Sequence, residues 1–166
     1  MPQALNHIAI SVTDIHKAKN WYMDVMGMTV LVEPVEISAV QSKDNSHLSD
    51  LVRNVFGQKL GKFLICHMSS VNGVGIELFE FIEPKSEQRK DNFEYWKTGF
   101  FHIAVTEPDL EELADKIASD GGKKRTQVME LVPGSGKKIC FCEDPFGNII
   151  EIYSHSYEQF WANAKM

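Results

Sequence analysis

At 166 residues, with 43% hydrophobic and 24% charged side chains, the chain carries enough apolar material to bury a core. A formal charge of -6, with no Lys/Arg run long enough to supply a local basic patch, excludes the electrostatic footprint of a nucleic-acid binder. No apolar stretch reaches the roughly 20 residues needed to cross a bilayer, and the opening residues lack the regions of a signal peptide, so a cytoplasmic protein with no membrane partner is expected.

Residues 4–13 alternate Ile8, Ile10 and Val12 with His7, Ala9 and Ser11, the pattern of a strand with two unlike faces. Asp14 stands as a helix N-cap before Ala18, Trp21, Tyr22 and Val25 at helical spacing, and Gly27 is placed to end that helix. Strands are expected at 28–38, 62–69 and 74–83, with a polar insertion at about 39–59 expected as a lid, a short helix or a loop. Residues 83–92 read as a linker. The order then repeats: a strand at 100–106, a helix with Pro108 in its first turn and the stripe Leu110, Leu113, Ala114 and Ile117, and strands at 124–131, 137–143 and 148–154. Pro145 and Gly147 turn the chain between the last two strands, and 155–166 is expected as a helical tail. The fold class is therefore α+β: two βαβββ modules, 4–83 and 100–154, within one domain over 1–166.

The repetition extends to chemistry. His7-Ile8-Ala9 recurs as His102-Ile103-Ala104, and each copy later reaches a glutamate inside an apolar run, Ile76-Glu77-Leu78 and Ile150-Glu151-Ile152. His7 and Glu77 lie 70 residues apart and His102 and Glu151 only 49, which puts the 21 extra residues in the insertion. Period-two geometry sets His7 with Ala9 and Ser11, His102 with Ala104, Glu77 with Phe79 and Phe81, and Glu151 with Tyr153 and His155, so all four can face one cleft. Taken singly, each histidine would be a satisfied core residue and each glutamate a solvated edge carboxylate. Taken as a doubled set they form a metal site, because a carboxylate flanked by Ile and Leu is costly to bury without a cation. His7, Glu77, His102 and Glu151 are thus the candidate ligands of one divalent ion, Ni, Zn, Co, Mn or Fe.

The remaining polar groups take blander readings. His16 and His47 are expected in solvent, and His67 on a sheet face or in the core, with support of the metal site as its alternative. Glu80 is expected on the face opposite Glu77, and Glu143 and Asp144 at a strand end and turn. Cys66, Cys140 and Cys142 are read as reduced core thiols, since Cys140 and Cys142 have no second pair to complete a metal set.

His-Ile-Ala on a first strand, Trp21-Tyr22 before Gly27-Met28, Ile76-Glu77-Leu78 and Asp144-Pro145-Phe146-Gly147-Asn148 running on to Glu151 resemble the vicinal oxygen chelate superfamily over residues 4–154. That superfamily contains glyoxalase I, methylmalonyl-CoA epimerase, extradiol dioxygenases and bleomycin or fosfomycin resistance proteins. The resemblance implies two modules curled as a half-open mixed sheet around a metal cleft, a small-molecule substrate, and a homodimer that covers the open sheet edges. Extradiol dioxygenases use two histidines and one glutamate; glyoxalase I adds a second glutamate at the position of Glu77, which implies proton transfer beside a metal-chelated oxygen with Glu77 and Glu151 as the catalytic carboxylates. Ser11 and Phe81 stand where bacterial glyoxalase I carries an arginine and an asparagine for glutathione, so the implied activity is a glyoxalase-like lyase or isomerase of unassigned, non-glutathione substrate. An Fe(II) extradiol-type dioxygenase and a non-catalytic binding protein are the alternatives.

Overall fold

A computed structural model describes residues 2–40 and 46–162 and divides the chain into two compact units, Met1–Gln88 and Arg89–Met166. In the first, strand β1 (His7–Ser11) leads into helix α1 (Ile15–Asp24), where the Asp14 carboxylate accepts from Lys17 N at 3.0 Å. Gly27 takes a φ of 66°, the left-handed turn that lets the chain leave the helix. Strands β2 (Thr29–Ser38), β3 (Lys62–Ser69) and β4 (Gly75–Glu83) complete a sheet of order β1-β4-β3-β2, in which only the β1·β4 pair is parallel. Ile15, Ala18, Trp21 and Tyr22 of α1 are buried together with Ile10, Cys66, Met68, Ile76 and Leu78. Glu80, on that face of β4, caps α1 by accepting from Ile15 N at 2.8 Å.

The insertion contributes helix α2 (Ser46–Phe56); residues 41–45 lie outside the described chain. The helix packs on the other face of the sheet. Val52 joins Ala39, Leu60, Phe63 and Phe79 in a buried cluster, and Phe56 lies 5.6–5.9 Å from the rings of Phe63, Phe79 and Phe81. The Glu77 face is thus divided into a polar end and an aromatic end roofed by α2.

The second unit has β5 (Ile103–Thr106), α3 (Leu110–Ser119), β6 (Lys123–Lys124), β7 (Met129–Glu130), β8 (Lys138–Glu143), β9 (Ile149–Tyr153) and α4 (Tyr157–Trp161). The sheet order is β5-β9-β8-β6, with β7 also on β8 and the β5·β9 pair parallel. Leu110, Ala114 and Ile117 bury α3, while α4, closed by a Ser156/Gln159 capping box, sets Phe160 against Ile139 and Tyr153. Both units are α+β with mixed sheets.

Three details differ from the sequence expectation. Pro108 sits in the turn before the α3 N-cap, Asp109, because Glu107 Oε1 already holds Asp109 N and delays the first helical turn. The strand expected to begin at 100 begins at Ile103. The expected strand at 124–131 is broken: Arg125 N and Thr126 N both bond to Phe141 O, two residues opposite one, a bulge that splits β6 from β7. Cys66, Cys140 and Cys142 are buried and free. Burial pushes Cys142 up to about 12, which keeps it a thiol rather than a metal-binding thiolate. No helix among the described residues is long and apolar enough to cross a membrane.

Candidate metal centre

The register of the two parallel pairs explains why each histidine finds its glutamate. Ala9 lies opposite Glu77 in β1·β4, and Ala104 opposite Glu151 in β5·β9. In both halves the histidine stands two residues before that alanine, on the same face, so it reaches the carboxylate along a diagonal. His7 Nε2 lies 3.5 Å from Glu77 Oε2, and His102 Nε2 lies 3.2 Å from Glu151 Oε2. His7 itself sits across from Gly75, where an added Cβ would come within 3.0 Å of the His7 Cβ. A side chain there would press His7 by a few tenths of an ångström.

The turn before β9 is built by the Asp-Pro-Phe-Gly-Asn segment. The Asp144 carboxylate, 3% exposed, accepts from Phe146 N, Asn148 N and Asn148 Nδ2, all at 2.8 Å, and Gly147 takes a φ of 84°. Its function is to launch β9 with Glu151 in place. Glu143, beside it, pairs with Lys123 and Arg125.

Around these equivalent diagonals the surroundings differ. His7 Nδ1 lies 2.7 Å from Asn6 Oδ1, which leaves Nε2 facing Glu77. His67, directly across from Glu77 in β3·β4, brings Nδ1 to 3.4 Å from Glu77 Oε1. The second half has rings instead: Phe101 and Phe141 meet His102 edge-on at 4.5 and 5.7 Å, and His102 Nδ1 is buried without a hydrogen-bond partner. Glu151 is 6% exposed in a strand buried throughout. Asn6 had no signal in the sequence; His67 would have needed the β3·β4 register to be recognised.

The charges follow from that environment. Burial raises the Glu151 carboxyl above its ordinary value and lowers the His102 imidazolium below its own, so both resist charge. A buried carboxylate beside a neutral imidazole lacks a compensating cation, and each half presents an imidazole nitrogen and a carboxylate, donors of the kind a borderline divalent ion takes. The residues fit such an ion. Among the described residues no three His, Cys, Asp or Glu side chains already converge on one point: His7 and His67 address different oxygens of Glu77. His16 and His47 are exposed.

These shifts predict the pH response of the metal-free protein. The unfolded chain takes up the His102 proton first, so stability is intact above the ordinary value of 6.5 and declines as pH falls through 6.5 toward the lowered value. Glu151 acts oppositely: the folded state holds its proton more tightly, and stability declines as pH rises through the raised value. Urea midpoints between pH 5 and 7 should fall more steeply toward acid for wild type than for His102→Gln, and Glu151→Gln should exceed wild type at pH 7. Identical pH slopes in wild type and His102→Gln would show that the imidazole is not desolvated.

Known proteins carry the same framework. The chain is similar to the uncharacterized protein YwkD of Bacillus subtilis (strain 168), 25% identical over 151 residues, 91% of this chain and 96% of that protein. It superposes on the glyoxalase family protein APC24694 from Bacillus cereus with a TM-score of 0.73 at 16% identity, covering 92% and 94% of the two chains. On a mutant of the fosfomycin resistance protein FosX from Listeria monocytogenes, complexed with Mn(II) and 1S,2S-dihydroxypropylphosphonic acid, the TM-score is 0.60 at 14% identity over 96% and 98%. The structural likenesses establish the fold. A family model matches residues 4–152, almost the whole of both repeats, and on that match the chain belongs to the Glyoxalase/Bleomycin resistance protein/Dioxygenase superfamily.

Proposed function

We propose that the chain is a metal-dependent lyase or isomerase of the glyoxalase type, with His7, Glu77, His102 and Glu151 together holding one divalent ion and a substrate that is not glutathione-based. The observation that carries the reading is the His–Glu diagonal built twice, with a carboxylate in both halves. A divalent ion held by these residues would supply the polarisation of a substrate oxygen that acidifies the hydrogen on the adjacent carbon. Glu77 takes that proton and returns it to the neighbouring carbon: at 24% side-chain exposure its carboxylate is accessible, whereas Glu151 is enclosed. The imidazoles of His7 and His102 orient the set.

The experiment is exchange of a carbon-bound hydrogen for solvent deuterium, followed by NMR with hydroxyacetone as the probe, on metal-loaded wild type and Glu77→Gln. The amide still offers an oxygen but accepts no carbon-derived proton, so exchange should fall by about 10²–10⁴ while metal content falls far less. Unchanged exchange in the variant would move the base to Glu151 or elsewhere. Metal content of protein purified without added metal discriminates the neighbouring readings: Fe(II) favours an extradiol-type oxygenase, and no metal favours a binding protein.

The reading includes a homodimer in the cytoplasm, where the three free thiols stay reduced. Strand β2 is a sheet edge paired only with β3, and it exposes Leu31 and Val32 at 64% and 44%. An open apolar edge is a liability that a second copy would cover. Sedimentation should give a dimer at micromolar concentration, and a stable monomer there would refute it.

A further inference from the structure

The backbone registers of the two halves repeat, so the residue across from each glutamate on its antiparallel neighbour is defined: His67 for Glu77 and Phe141 for Glu151. Phe141 meets His102 edge-on. His67 instead addresses the carboxylate, with Nδ1 at 3.4 Å from Oε1, the oxygen that His7 does not face. Its side chain is 38% exposed, too open for a packing residue, and β3 is held by ladders on both sides, with Val32 and Glu77 across from His67.

We infer that His67 is a positioning residue: it holds Oε1 of Glu77 and so reserves Oε2, on the His7 side, for the ion and the proton. The inference rests on the metal-dependent reading given above. A glutamate on a strand turns about three bonds, and a ligating carboxylate with no outer partner spends part of its time turned away. Outer partners of metal ligands are typically worth roughly 10–100-fold in metal affinity. The arrangement also separates the two carboxylates: Glu77 is steadied by polar groups on both sides, and Glu151 by burial among rings.

The test uses the full chain and Co(II) alone, with affinity measured by chelator competition and geometry by the visible absorption of the bound ion. His67→Phe, which copies the second half, should weaken Co(II) binding by roughly 10–100-fold and alter the absorption bands, while the melting temperature of the metal-free protein stays near wild type. His67→Gln, whose amide N–H can still reach Oε1, should recover most of the affinity. His67→Ala removes the imidazole without filling its place and should match His67→Phe, so a packing fault confined to the phenylalanine does not decide the result. Wild-type affinity and bands in both His67→Phe and His67→Ala would overturn the positioning role, as would a loss in His67→Gln equal to theirs. Absence of Co(II) binding by wild type would instead remove the metal-dependent reading, and this inference with it.

Discussion

Alanine in place of any one of His7, Glu77, His102 or Glu151 is expected to strip metal from the protein, by more than the roughly 10–100-fold that an outer partner is worth. Each residue stands on an equivalent diagonal, and on the proposed reading a four-donor set that loses one member would keep an ion held by three and open to chelators. The four variants should not behave alike toward folding. Glu151 is enclosed and its carboxyl is raised by burial, so its removal relieves a desolvation cost in the metal-free protein. Glu77 and His7 are open to solvent, and their removal should leave metal-free stability nearly unchanged. The check is metal content by elemental analysis beside melting curves with and without ion. Full metal content in all four variants would remove the assignment.

Glutathione hemithioacetals are expected to be poor substrates, although the proposed donor set resembles that of glyoxalase I. A tripeptide thiol carries two carboxylates, and its capture needs fixed cationic or amide donors. Ser11 ends β1 exposed, with no charge to offer, and Phe81 stacks on Phe79 at 5.7 Å with an 11° interplanar angle inside the aromatic end of the sheet. Each lost charge-assisted contact is worth roughly 1.5–3 kcal/mol, so losing both weakens binding by about two orders of magnitude or more. A steady-state assay with methylglyoxal and glutathione on protein loaded with Ni or Zn should give a kcat/KM well below roughly 10⁵ per molar per second. A value above that level would restore glyoxalase I as the direct reading.

How much of this was legible depended on whether the signal was local. Helix α1 is announced by an N-cap and a stripe within one short segment, and β3 begins and ends at the residues where alternation starts and stops. The four candidate ligands were visible because duplication wrote the same phrase twice. The bulge at Arg125 and Thr126 was not, because a bulge changes pairing without changing the alternation of side chains. The meeting of His67 with Glu77 was hidden for a related reason. Nothing near it in the chain mentions Glu77; the meeting is made by a ladder between two strands, and the second copy, with phenylalanine there, offers no echo.

The unequal flanks of the two diagonals bear on stereochemistry. A protein site is chiral whatever its internal repetition, so a single base reaches a CH₂ group from one side. In the first half Asn6 bonds His7 and His67 faces the Glu77 carboxylate, whereas in the second Phe101 and Phe141 meet His102 edge-on. On the proposed reading Glu77 alone, the more accessible of the two carboxylates, meets a prochiral carbon. Only one of its two hydrogens should wash out into deuterated solvent, leaving a product of single handedness.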